Sequence, residues 1–137
     1  MTIQTIVDTG PLVAFFNKSE ALHDWAFDQF TRLPPPLLTC EAVISETRFL
    51  LGSRGASLAL EAIVRGGLRI EFSLGAEIDA VLRLMTRYKD MSASLADACL
   101  VRMSEIHVRS QILTLDRDFL VYRRDGRRAI PHIAPFG

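Results

Sequence analysis

Thr2-Ile3-Gln4-Thr5-Ile6-Val7-Asp8-Thr9-Gly10-Pro11 is the stretch from which the rest of the chain is read. Ile3, Thr5, Ile6 and Val7 are β-branched, and such side chains favour a pleated strand. Gly10 and Pro11 stop that strand, and Pro11 suits the first position of a following helix. A carboxylate, Asp8, therefore sits at the carboxyl end of a buried strand and faces a helix start. In open α/β sheets that is where ligands bind. The later acids matter according to whether the fold brings them to Asp8.

Outward from this strand, Leu12 to Phe16 predicts a short apolar helix. Leu22, Trp25, Ala26, Gln29, Phe30 and Leu33 recur at helical spacing, and Pro34-Pro35-Pro36 ends that second helix. Leu37 to Thr39 predicts a second strand, followed by a helix from Cys40 to Leu51 stopped by Gly52, and a fourth helix from Ser53 to Val64. Past Gly66-Gly67, Leu68 to Phe72 alternates as a third strand should. Ile78, Val81, Leu82 and Met85 form the stripe of a fifth helix. Ser94 is placed to cap a sixth, which carries Leu95, Ala98, Cys99, Val101 and Met103. Gln111 to Leu115 is the fourth strand, ending at Asp116-Arg117-Asp118. Phe119 to Tyr122 suggests a short helix that Asp118 would cap, and Ala129-Ile130 an edge strand limited by Pro131.

Strands separated by helices pair in parallel, with helices on both faces of the sheet. The expected architecture is a three-layer α/β/α sandwich formed as one domain over residues 1–137. With 49% hydrophobic and 23% charged residues, the composition is that of a folded globular chain and excludes a disordered one. Sixteen basic and sixteen acidic side chains cancel, so only local charge clustering can indicate a nucleic-acid partner. A secretory leader and a membrane-spanning apolar run are both missing, which predicts a cytoplasmic protein. Cys40 and Cys99 lack metal-type spacing and read as small core residues.

Most acids of a chain like this are solvated, but several here sit in apolar surroundings. On a helix, the neighbours of Glu46 three and four residues away are Ala42, Val43, Phe49 and Leu50, which points its carboxylate toward the core side. Such a group needs a cation, a proton or a hydrogen-bond partner, and a structural ion pair would serve as well as a functional one. Asp97 is followed by Leu100 and Val101, although Ser94-x-x-Asp97 also reads as a capping box. Asp116 follows a strand as Asp8 does, so parallel strands would deliver both to one sheet edge; alone it would be a turn residue. Carboxylates that converge without Lys or Arg repel one another or bind a cation. An all-oxygen donor set suits Mg²⁺ or Mn²⁺, and such ions beside a phosphodiester activate water and stabilise the leaving oxygen. His23, His107 and His132 stand apart from any motif.

Four stretches together resemble the PIN-domain ribonucleases, specifically the VapC-type toxins of toxin–antitoxin systems. They are Ile6 to Ala14, Glu46 in its helix, Ser94-Leu95-Ala96-Asp97-Ala98, and Leu113 to Phe119, in the expected order along nearly the whole chain. The resemblance implies a Mg²⁺- or Mn²⁺-dependent endoribonuclease. Asp8 and Asp97 match the two principal metal-ligating aspartates, and Glu46 matches the acid of the third helix. Asp116 matches the fourth acidic position, with Asp118 as the alternative two residues on. Thr9 and Thr114 stand where the family often has supporting hydroxyls. The same resemblance implies an RNA substrate, a homodimer and a cognate antitoxin.

Arg117, Arg123, Arg124, Arg127 and Arg128 form the one local basic cluster that could follow a phosphate backbone; otherwise they are a solvated turn around Gly126. Trp25, Phe27 and Phe30 could stack bases, but their helical stripe reads as core or dimer seam. Two other functions compete. One is phosphoryl transfer through an aspartyl-phosphate on Asp8, which lacks a second adjacent acid and a downstream strand-end lysine. The other is a PIN-fold RNA-binding module without turnover, against which the full set of acids argues.

Overall fold

Strand β1 (Gln4–Val7) occupies the centre of a five-stranded sheet, and its Ile6 and Val7 are fully buried. The computed structural model describes residues 2–55 and 57–136, with Arg54 in its backbone only. After β1 come α1 (Thr9–Phe16), α2 (His23–Arg32), β2 (Leu37–Thr39), α3 (Glu41–Gly55), α4 (Leu58–Val64) and β3 (Leu68–Ile70). They are followed by α5 (Ile78–Arg87), α6 (Leu95–Ile106), β4 (Ser110–Leu113), β5 (Arg123–Arg124), β6 (Arg128–Ala129) and β7 (His132–Ile133). The sheet order is β3-β2-β1-β4-β7, and every pairing in it is parallel.

That order has one direct consequence. The chain leaves β1 toward β2 and β3, then returns through α5 and α6 to place β4 on the other side of β1. Right-handed crossovers therefore put α1–α4 on one face of the sheet and α5–α6 on the other. The packing agrees, since α1 meets α2 and α3, α3 meets α4, and α5 meets α6. This is the expected α/β/α sandwich, and the gap between the ends of β1 and β4 is its topological switch point. The Asp8 amide donates to the Leu113 carbonyl at 3.0 Å, which carries the β1–β4 ladder one residue beyond the strand.

Several elements differ from the sequence reading. Helix α1 begins at Thr9, with Asp8 as its cap, so Pro11 is the third helical residue and not the first. The first turn tolerates it because those amides have no intrahelical partner. Gly52 does interrupt α3, at a φ of 73° that a side chain rarely adopts. The predicted fourth helix starts at Leu58 and not Ser53; Ser53 to Gly55 continue α3 beyond the kink, and Ala56 lies outside the described residues. In α5 the buried face is Val81 and Leu84, while Ile78 and Leu82, half of the expected stripe, are exposed. Ala129-Ile130 does not form the edge strand. Arg128–Ala129 pairs antiparallel with Arg123–Arg124, and the edge of the main sheet is His132–Ile133, directly after Pro131.

Cys40 and Cys99 are both free and buried, as core residues should be, but the fold also brings their thiols together. The hydrogen bond with Cys99, and then burial, push the Cys40 thiol up. No helix among the described residues is long and apolar enough to cross a membrane.

Candidate active site

Asp8, Glu46, Asp97, Asp116 and Asp118, which lie far apart in sequence, line one open groove of about 740 Å³ at the switch point. Local rules place each of them. Asp8 follows β1 in an extended conformation and its Oδ1 accepts the Thr9 amide at 2.7 Å, so it caps α1 while projecting beyond the sheet. Asp97 occupies the third position of α6 in a complete capping box: its amide donates to Ser94 Oγ at 3.0 Å, and its Oδ2 accepts the Ser94 amide at 3.2 Å. The capping role and the groove position are therefore compatible. Asp116 ends the β4 loop, and its Oδ1 accepts the Asp118 amide at 2.9 Å, capping the 3₁₀ turn Arg117–Leu120. The cap of that turn is Asp116, where the sequence suggested Asp118.

Glu46 reaches the groove for a different reason from the one its neighbours implied. Val43 on its stripe is buried, but Phe49 is 83% exposed and Leu50 borders the groove. The stripe runs from the core out to the groove wall. Glu46 is thus half-buried, and its Oε1 accepts the Thr9 hydroxyl at 3.0 Å.

Two threonines join the acids into one chain of bonds. Thr114, itself fully buried, donates its hydroxyl to Asp8 Oδ2 at 2.7 Å and accepts the Asp116 amide at 2.9 Å. Glu46, Thr9, Asp8, Thr114, Asp116 and Asp118 are consecutive links. Asp8 is only 6% exposed, and burial pushes its pKa from 3.8 up to about 7. The bonds from Thr114 and Thr9 pull the other way, and the Asp97 and Asp116 charges add to the rise. Burial, with Asp116 and Asp97, likewise raises Asp118.

Tyr122 is a participant that the sequence reading missed. Its hydroxyl, on a fully buried ring, donates to Asp97 Oδ2 at 3.0 Å. Burial, then the Asp97 charge, push the phenol up, so it remains a neutral donor. A single tyrosine in a short apolar run carries no periodic signal, and only the fold brings it under α6.

The arginine cluster separates. Arg117 lines the groove, its guanidinium 4.7 Å above the Phe136 ring, and is the one cation among the described lining residues. Arg124 is 7% exposed and donates to the Ser110 carbonyl and hydroxyl, both at 2.9 Å, and to the Val108 carbonyl. It is a structural strut and not a phosphate contact. Arg123 donates to the Leu120 and Tyr122 carbonyls, and Arg128 pairs with Asp125. Arg127 is exposed and, like Arg123 and Arg128, outside the groove lining. Phe27 and Phe30 pack on Phe15, and Trp25 packs against the core.

The donor set fits a hard divalent cation. The groove presents carboxylate oxygens, and its most buried acid, Asp8, faces Asp97 and Asp116 without a neutralising base. Among the described residues no three His, Cys, Asp or Glu side chains stand close enough to hold one ion together. One or two direct carboxylates with water completing the shell is the coordination Mg²⁺ adopts.

Comparison with known proteins agrees with this geometry. The PIN domain family matches residues 5–125. Ribonuclease VapC26 of Mycobacterium tuberculosis is 31% identical over 116 residues, covering 82% of this chain and 86% of its own length. The crystal structure of M. tuberculosis VapC20, described as a sarcin-ricin loop cleaving toxin, superposes with a TM-score of 0.73 at 24% identity, over 84% of this chain and 92% of that one. From the match along the sequence, the shared parallel sheet and the acids gathered at its switch point, we conclude that the chain belongs to the PIN domain family, among its VapC-type members.

Proposed function

We propose that the protein is a Mg²⁺- or Mn²⁺-dependent endoribonuclease and the toxin of a toxin–antitoxin pair, acting in the cytoplasm. The observation that carries this reading is the convergence of Asp8, Glu46, Asp97 and Asp116 on one groove, wired through Thr9 and Thr114. The likeness to a named ribonuclease supports the activity. Asp8 and Asp97 would hold the cation, which when bound supplies an acidified water and charge stabilisation for the leaving oxygen.

The chain's own groups do the remaining work. Thr114 and the Thr9 amide fix both oxygens of Asp8, so its geometry is set before substrate arrives. Glu46, held by the Thr9 hydroxyl, and Asp116, held by the Asp118 amide, are carboxylates positioned to accept a proton from an attacking water. Asp118 adds negative charge at the same wall. Arg117, at the groove edge, attracts and orients a phosphate against this acidic background.

The open shape of the groove suits a polymer running through it better than an enclosed small molecule. A structured RNA loop is a substrate to test first, because the VapC20 toxin is described by that target. Exposed Phe49, Leu50, Ile78 and Leu82 support interfaces with a second copy and with an antitoxin protein. Light scattering reads the first; co-purification with the product of an adjacent reading frame reads the second.

The direct test is incubation of the protein with total RNA in Mg²⁺, Mn²⁺ or excess chelator, with the cut ends mapped by sequencing. Discrete cleavage that requires the metal is expected. Cleavage undiminished in chelator, or a BeF₃⁻ adduct on Asp8, contradicts the proposal and favours the phosphotransfer reading.

A further inference from the structure

We propose that Tyr122 is a positioning residue for the metal-dependent reaction: its buried hydroxyl, donating to Asp97 Oδ2, orients that carboxylate so that Oδ1 is left for the cation. The inference rests on the reading of Asp97 as a metal ligand and extends it to a residue outside the groove. Asp97 Oδ2 already accepts the Ser94 amide at 3.2 Å, and the Tyr122 hydroxyl brings a second donor at 3.0 Å. Two donors on one oxygen fix the carboxylate plane and leave the other oxygen for a ligand on the groove side. The capping bond alone would allow the carboxylate to pivot about the Ser94 amide.

The phenol is well placed for this task. Its ring is fully buried and meets the rings of Tyr88 (4.9 Å) and Phe119 (5.0 Å) edge to face, which restricts its rotation. Its own amide donates to the Asp118 carbonyl at 3.1 Å. Tyr122 therefore joins Asp97, at the start of α6, to the turn that carries Asp116 and Asp118. It sets the distance between acids that reach the groove from two different elements. A phenylalanine would fill the same space against Tyr88 and Phe119; what the tyrosine adds is the bond from its hydroxyl to Asp97 Oδ2.

The test compares wild type, Tyr122→Phe and Tyr88→Phe. The control removes a hydroxyl from the same aromatic cluster, one that accepts the Arg123 amide and does not touch Asp97. Mn²⁺ affinity is measured by calorimetry, and kcat and KM on an RNA oligonucleotide across a metal titration. Tyr122→Phe is expected to weaken Mn²⁺ binding by about ten-fold and to lower kcat at limiting metal. KM for RNA should be unchanged and saturating metal should recover part of the rate, while Tyr88→Phe stays within two-fold of wild type. Folded Tyr122→Phe with wild-type Mn²⁺ affinity and kcat overturns the inference.

If Tyr122→Phe does not fold, protein carrying 3-fluorotyrosine at its two tyrosines replaces it. The Tyr122 fluorine resonance, assigned with Tyr88→Phe, is expected to move on addition of Mg²⁺, and a resonance that stays put overturns the inference. A wild-type protein that neither binds Mn²⁺ nor cleaves RNA contradicts the nuclease reading and this inference together. A wild type that does both, beside an unaffected Tyr122→Phe, contradicts the inference alone.

Discussion

The Thr114 hydroxyl stands 2.7 Å from Asp8 Oδ2 while accepting the Asp116 amide at 2.9 Å. One small side chain thus sets two acids against each other from the ends of adjacent strands. A buried carboxylate that loses a donor is left partly unsatisfied, so Thr114→Val should cost about 2 kcal/mol of stability. Urea unfolding measures it. Thr114→Ser, which keeps the hydroxyl, should recover most of the loss; a loss in Thr114→Ser that exceeds that in Thr114→Val would show that the methyl group, which valine retains, matters instead.

Asp8 makes stability depend on pH in the direction opposite to an ordinary paired carboxylate. Its folded-state pKa is raised from 3.8 to about 7, first by burial, so the folded chain holds the proton more tightly than the unfolded chain. The stabilisation from this proton is full below the unfolded value, falls as pH rises between the two values, and is gone above the folded one. In chelator, Asp8→Asn should therefore melt above wild type at pH 8, with the gap closing toward pH 5. A gap independent of pH would contradict the assignment.

A cation binds the deprotonated groove, so Mg²⁺ should reverse that order. At pH 8, Mg²⁺ should raise the melting temperature of wild type and leave that of Asp8→Asn nearly unchanged. Differential scanning fluorimetry with and without Mg²⁺ reads the difference, and equal shifts in both proteins would place the ion elsewhere.

Arg117 and Arg124 should fail in different ways. Arg124 is buried and bonded to two carbonyls and a hydroxyl, so Arg124→Ala should cost about 3 kcal/mol, within the range for hydrogen bonds to charged groups. The folded fraction should cleave RNA normally. Arg117→Ala should keep its stability and bind RNA several-fold more weakly, with a shallower salt dependence. Unfolding curves and RNA titrations at two salt concentrations separate the two cases.

What the sequence made legible was local. Asp8 at a strand end and Ser94-x-x-Asp97 at a helix start depend on residues within one turn, and both stand where those rules put them. The neighbours of Glu46 point it toward the core side, whereas it stands half-buried at the groove and Phe49 and Leu50 are exposed; an apolar stripe does not say which of its ends meets solvent. The same ambiguity misplaced the α5 face, where Leu82 is 63% exposed and Leu84 buried. Long-range pairings left no pattern at all: β7 beside β4, the Cys40–Cys99 contact and the Tyr122 hydroxyl bond each join residues whose separation only the fold sets. Arg124 reads the same as Arg127 in sequence, and burial alone distinguishes them.

The central claim is that the gathered acids cleave RNA through a divalent cation. The most direct measurement is the single-turnover cleavage rate of a mapped RNA oligonucleotide in Mn²⁺ by wild type, Asp8→Asn and Asp97→Asn, each confirmed folded by circular dichroism. Metal-dependent cleavage by wild type and a loss of at least about a hundred-fold in both variants is the predicted result, as expected when a ligand of the reacting centre is removed. Folded Asp8→Asn or Asp97→Asn that cuts at the wild-type rate would contradict it.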